Sequence, residues 1–198
     1  MSHFIYAIVG PSGAGKSTLA DAVFKKEEQI VSFTSRDPRP GEKNGVEYYF
    51  IGKKTRQDID RMKQDCIEGK LVELVEYNGN VYGYSTIEIL NKFNPELKSA
   101  AAIVTREGYD NLKASQFGEY VIPVFVTASR NTIKRHLSNR NDTPENIEKR
   151  LALYDDEAKN EEWFNQLNHQ KILIRTDEDN LAKTSSYFKK QIQTFERN

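Results

Sequence analysis

Two patterns of apolar residues alternate along the chain. The first is a short continuous apolar run. Phe4-Ile5-Tyr6-Ala7-Ile8-Val9 is stopped by Gly10 and reads as a buried strand of the kind a parallel sheet covers on both faces. Residues 100–104, 121–126 and 171–174 repeat the pattern, although Pro123 is awkward inside a central strand because it has no N–H for the ladder. The second pattern is helical. Leu19, Ala20, Val23 and Phe24 fall on one face of a helix predicted over 17–28, and further helices are predicted over 107–116, 130–138, 144–167 and 180–195. Strands alternating with helices predict β-α-β units and an α/β fold built on a parallel sheet.

Residues 30–84 break this rhythm. Val46–Ile51 and Leu71–Tyr77 are rich in β-branched and aromatic side chains, and Asn78-Gly79-Asn80 is a turn signal. Between these runs Thr55 can cap a helix reaching Glu68, with Ile59, Met62, Cys66 and Ile67 on one face and Gly69 beyond its end. The expectation is a mixed, partly antiparallel insertion in the α/β core, with Cys66 packed inside.

Composition narrows the classes without choosing an activity. Lys plus Arg and Asp plus Glu each number 29 in 198 residues, so no broad positive field exists to hold nucleic acid or an anionic membrane. One cysteine excludes an intramolecular disulfide and a cysteine-cluster metal site. No apolar run approaches the roughly 20 residues a membrane span needs, and the N-terminus lacks the pattern of a secretory signal. A cytoplasmic protein is expected. Asp155-Asp156-Glu157 and Glu161-Glu162 are expected on the solvated side of a helix.

Candidate chemistry begins where the first strand ends. Gly10-Pro11-Ser12-Gly13-Ala14-Gly15-Lys16-Ser17 fits G-x-x-x-x-G-K-[ST], preceded by a predicted strand and followed by a predicted helix. Glycines let successive N–H groups turn toward one centre, and the helix adds its positive end. Lys16 can then reach the β- and γ-phosphates, and the Ser17 hydroxyl can coordinate Mg²⁺. The loop implies a nucleoside triphosphate and leaves the reaction open. Further on, Arg36 and Arg39 lie in a loop broken by Pro38, Pro40 and Gly41, and planar guanidinium groups suit bidentate phosphate recognition.

At this point the chain resembles the guanylate kinase family. The family's G-P-S-G-x-G-K-S-T is matched from Gly10 through Thr18. Its monophosphate segment is matched by Ser32, Arg36, Pro38, Arg39, Gly41, Glu42, Gly45, Tyr48 and Phe50, and a third stretch by Glu73, Tyr77, Gly79, Tyr82 and Gly83, all in order over nearly the whole chain. The resemblance implies a P-loop NTPase-type parallel sheet flanked by helices, with a mixed β insertion as the monophosphate-binding subdomain and a small helical lid. It divides the single domain into a core of residues 1–31, 84–130 and 168–198, a GMP-binding subdomain of 32–83, and a lid with flanking helices of 131–167. The implied reaction transfers the γ-phosphoryl of Mg·ATP to GMP or dGMP. Gly10 to Thr18 would hold ATP, with Ser17 on the metal. Arg36 and Arg39, helped by Tyr48 and Tyr82, would grip the acceptor phosphate. Ser32, Glu73, Gly83 and Thr105 would complete the GMP site, since a carboxylate accepts from guanine N1–H and its 2-amino group. Arg140 and Arg150 take the places of lid arginines and would join Lys16 and Arg39 in catalysis, so that a positive cleft is expected.

Some positions depart from the family pattern. Ile103 and Thr105 stand where two acids are usual, with Arg106 beside them, and Tyr84 replaces a Ser or Thr. His136 falls where arginine is frequent, and Ile174-Arg175-Thr176-Asp177 replaces V-x-N-D. These changes spare the phosphate machinery and leave base specificity open. Two other readings remain at this stage: a kinase of the same fold acting on another nucleotide or a phosphorylated sugar, and a non-catalytic binding module like the guanylate-kinase-like domains of scaffold proteins.

Overall fold

The computed structural model describes residues 3–77, 79–92, 97–139, 143–178 and 180–197, and at Tyr77 and Ala158 the backbone only. The main sheet is parallel, in the order β6-β1-β7-β8. Its strands are β1 (Phe4–Val9), β6 (Ser99–Ile103), β7 (Val121–Thr127) and β8 (Ile172–Arg175). Helices α1 (Lys16–Val23), α4 (Arg106–Ala114), α5 (Arg130–Ser138), α6 (Pro144–Ala158), α7 (Asn160–Gln166) and α8 (Leu181–Glu196) flank it.

The continuous apolar run of β1 feeds two cores. Tyr6 and Ile8 enter one with Leu19, Phe24, Val124, Phe188 and Ile192, whereas Ile5, Ala7 and Val9 enter the other with Tyr109, Leu112, Phe125 and Phe164. Successive side chains of a strand point to opposite faces, so a strand covered on both sides must be apolar at every position. Tyr6, Phe24 and Phe188 form an aromatic cluster with ring centres 5.6–6.0 Å apart, Phe188 edge-on to the other two. Trp163 and Phe164 pack toward the sheet on the other side, Phe164 5.4 Å from Phe125.

Pro123 lies in the central strand β7 and is paired with Ala7. Pairing with β8 begins only at Val124, so at Pro123 the strand has one neighbour, and a missing N–H is tolerated there.

The insertion is a second sheet, ordered β3-β2-β5-β4. It comprises β2 (Phe33–Thr34), β3 (Tyr49–Phe50), β4 (Leu71–Tyr77) and β5 (Asn80–Ser85), with helix α2 (Arg56–Ile67) beside β4. Strand β2 is parallel to β3 and antiparallel to β5, and β4 and β5 form an antiparallel pair. Thr55 caps α2 by accepting from Asp58 N. The expected packing of Cys66 and Ile67 does not occur: no described residue of α2 is buried, and Ile67 is 80% exposed. An amphipathic pattern requires a partner surface, and β4 covers only part of this helix.

The chain returns to the core through α3 (Thr86–Lys92), a helix that the apolar pattern did not announce. Its Glu88 is buried, accepts from Val31 N and Tyr49 Oη, and lies 3.7 Å from Lys92 Nζ. The stretch predicted as one helix over 144–167 is two, separated at Lys159, and the strand expected over Val46–Ile51 is only β3. Residue 78 of the predicted turn lies outside the described residues. Among those residues no helix is long and apolar enough to cross a membrane.

Phe188→Ala is expected to lower unfolding stability by about 3–5 kcal/mol, because it opens a cavity in a close-packed aromatic cluster. Urea denaturation followed by circular dichroism measures this.

Candidate active site

The loop between β1 and α1 takes its shape from a close approach. A Cβ on Gly10 would lie 1.9 Å from the Val126 carbonyl oxygen, and the residue has φ of +144°. Gly13 and Gly15 also have positive φ, of +87° and +89°. Several loop carbonyls are tied to side chains outside the loop's turn. Lys16 Nζ donates to Gly10 O (2.6 Å) and Pro11 O (2.9 Å), His136 Nδ1 donates to Gly13 O (2.8 Å), and Thr176 Oγ1 donates to Ala14 O (3.0 Å). A carbonyl only accepts, so His136 carries its proton on Nδ1 in that bond. The departures at His136 and Thr176 therefore have a definite role: they hold the loop. Asp177 supports the neighbouring turn by accepting from Ser129 N at 2.6 Å.

Helix α6 docks on this loop. Arg150 Nη1 donates to Ser12 Oγ (2.6 Å), and Glu157 Oε2 accepts from Ser12 N (2.8 Å). The expectation that the whole acidic cluster faces solvent fails at Glu157, because seven helical residues place it two turns from Arg150 on the same face. Asp155, Asp156 and Glu161 pair at the surface with Arg130, Lys159 and Arg175. Arg140 lies outside the described residues.

Two cavities adjoin the loop. One, of about 470 Å³, is lined by Gly15, Thr18, His136, Asn139, Thr176 and Asn180. The other, of about 260 Å³, brings Ser17 together with Ser32, Arg39, Tyr48, Tyr84 and Ile103. Arg36 does not line it. Its guanidinium makes a two-point pair with Glu42 (2.9 and 3.0 Å), donates to Asp37 O, and lies over the Tyr48 ring at 5.1 Å. Glu42 also accepts from Arg39 N at 2.7 Å. Burial alone would raise the Glu42 carboxyl, but Arg36 and the Arg39 N–H outweigh it and hold the group below its ordinary value. The cleft is thus a placed mixture of charges rather than a uniformly positive surface. Tyr82 sits edge-on to Tyr48 with ring centres 6.1 Å apart. Gly83 allows a tight crossing, since a Cβ there would lie 2.1 Å from Glu73 O.

Glu73 is 3% exposed, and its Oε2 is buried without a hydrogen-bond partner. Burial, and secondarily the Glu107 carboxylate on α4, push its pKa up to about 8. Gly108 makes the room: a Cβ there would fall 2.0 Å from Glu73 Oε1. Thr105 caps α4 by accepting from Gly108 N at 3.0 Å, so its hydroxyl is anchored at the helix start. Glu73 and Thr105 are absent from the lining of both cavities. Three contributors were not marked by sequence pattern: Glu42 as the partner of Arg36, Glu157 on the loop, and the Ile103 carbonyl, which accepts from Tyr84 Oη at 2.7 Å. Only Glu42 carried a signal, as part of the matched arginine segment.

A glycine-turned strand–loop–helix with its lysine, opening onto a cavity shared with a second arginine loop, defines a P-loop phosphotransferase acting on a phosphorylated acceptor. The chain belongs to the guanylate kinase family: the family model described as guanylate kinase matches residues 3–193. It is 34% identical over 151 residues to a guanylate kinase of Homo sapiens, covering 72% of this chain and 71% of that one. A guanylate kinase of Campylobacter jejuni (strain RM1221) is 32% identical over 184 residues, covering 90% and 83%. The crystal structure of guanylate kinase from Anaplasma phagocytophilum shares the fold, with a TM-score of 0.67 at 18% identity over all of this chain and 88% of that one. The family's reaction is the ATP-dependent phosphorylation of GMP to GDP.

Glu73 makes stability fall with rising pH. The unfolded carboxyl loses its proton near its ordinary value of 4.5, whereas the folded one keeps it to about 8. Between those values the folded state binds the extra proton, so stability drops by up to roughly 1.4 kcal/mol per pH unit. Glu73→Gln removes this slope. Urea titrations across that window are expected to show the variant gaining on the wild type as pH rises. Gly108→Ala is expected to displace the Glu73 carboxyl and to destabilise the fold, read by the same titrations.

Proposed function

We propose that the chain transfers the γ-phosphoryl of ATP to GMP, or dGMP, across the cavity that joins Ser17 to Arg39. That juxtaposition carries the reading, because it sets the phosphate loop beside the acceptor loop in one space of about 260 Å³. The larger cavity, beside Gly15 and Thr18, suits the nucleoside of the donor. Amides of Gly10 to Thr18 would surround the donor phosphates, and Lys16 would exchange its two carbonyl partners for phosphate oxygens.

Arg39 and the Tyr48 and Tyr82 hydroxyls would hold the acceptor phosphate. Arg36 assists from its Glu42 clamp, which fixes the guanidinium plane. Arg150 stands at Ser12, where it can neutralise charge on the moving phosphoryl, and the family resemblance gives Arg140 the same task. Glu73 would read guanine, with Ser32, Gly83 and Thr105 shaping that end of the site. An acceptor phosphate oxygen attacks directly, so no general base is required, and positioning with charge neutralisation supplies the rate.

Ser17 is exposed and lines the shared cavity. A hard oxygen there, completed by phosphate oxygens and water, fits Mg²⁺, which keeps several waters and takes few protein ligands. When bound, the ion would neutralise charge on the donor phosphates. Small-molecule substrates, with no nucleic acid or membrane partner, and a cytoplasmic location fit this reading.

Lys16→Ala is expected to lower kcat by roughly 10²–10³-fold, as loss of one preorganised donor to transition-state charge does. Circular dichroism should show an unchanged fold. A coupled assay over GMP, dGMP, AMP, UMP, CMP and ribose 1,5-bisphosphate is expected to favour the guanine nucleotides. Preference for another acceptor would overturn the assignment, and tight GMP binding without turnover would favour a binding module.

A further inference from the structure

The acceptor cavity stops short of the carboxylate assigned to guanine, and its wall at that point is Tyr84. Glu73 and Tyr84 are directly opposed on the antiparallel strands β4 and β5, so their side chains share one face. Tyr84 lines the cavity and Glu73 does not. The tyrosine is 4% exposed. Its hydroxyl donates to Ile103 O at 2.7 Å, and Ser32 lines the same cavity. One side chain therefore stands opposite Glu73 on the strand pair and shares a cavity wall with Ser32, two of the groups that would receive the acceptor nucleoside. That hydrogen bond also joins strand β5 of the insertion to strand β6 of the main sheet.

We propose that Tyr84 is a specificity-determining gate, latched on the Ile103 carbonyl, whose swing admits a purine to Glu73. The proposal rests on Glu73 being the guanine ligand. A gate that is shut most of the time multiplies apparent affinity by the open fraction, so weakening the latch tightens acceptor binding. A stacking platform for the base would behave in the opposite way, since removing it costs affinity.

Tyr84→Phe keeps the ring and deletes the latch. It is expected to lower KM for GMP, and the Kd for GMP by calorimetry, by roughly threefold or more, with KM for ATP and kcat changing less. Tyr84→Ser, where it folds, is expected to go further. An unchanged or raised KM for GMP in Tyr84→Phe overturns the gate.

A second readout needs no nucleotide. The infrared band of the Glu73 carboxyl, assigned by its loss in Glu73→Gln, reports the group's titration. Tyr84, Glu107 on α4 and the Cys66 thiol on α2 surround that group. Opening the gate admits water, so the midpoint is expected to fall in Tyr84→Phe. An unmoved midpoint overturns the proposal. A midpoint that falls while neither protein binds GMP leaves the gate standing and removes the guanine assignment.

Discussion

Everything at the active site depends on how closely the first loop passes the central strand. Gly10 runs against the Val126 carbonyl at a separation no side chain could survive. That contact pins the loop to the end of the parallel sheet, where β1 stops at Val9 and β7 runs on to Thr127. Once it is pinned, the later glycines turn the chain, and the loop carbonyls find Lys16, His136 and Thr176 from three different parts of the sequence. The loop is thus held largely by groups placed by the rest of the fold, and its shape does not wait for a phosphate.

Charge at the site follows the same logic of placement. The chain is neutral overall, yet two of the cations at the site have an identifiable neighbour. Arg36 is clamped by Glu42, and Arg150 shares Ser12 with Glu157. Partly buried guanidinium groups without such partners would swing into solvent. Glu73 is the exception, a buried acid with no offsetting cation among the described residues. Such a group costs stability unless it stays neutral.

Most of the architecture was legible from local pattern. The β1 run, the phosphate loop and the alternation of strands with helices follow from apolar periodicity and glycine placement, and the structure bears them out. Failures came where long-range geometry overrides local preference. Pro123 is admissible because β8 starts one residue later. Cys66 stays half-buried because β4 covers too little of α2. Glu157 looked like one more surface acid, and no local signal says that Ser12 lies across from it. The latch of Tyr84 on Ile103 was equally hidden, since its acceptor is a backbone carbonyl that any residue supplies.

Glu88 has a consequence for how the insertion can vary. Its carboxylate meets Val31 where the chain leaves the main sheet, and its own helix is where the chain comes back. The whole excursion between them is therefore a loop closed at its neck. Closure entropy grows slowly with length, by only about 0.6 kcal/mol per doubling. Extra residues at an exposed outer turn such as Gly52 to Lys53 would add little to that entropy. A change at the neck itself would remove a tie that works beside the bonds from Ile30 N to Ala101 O and from Tyr84 Oη to Ile103 O. Length is thus cheap in the outer part of this subdomain, and change is costly at its neck.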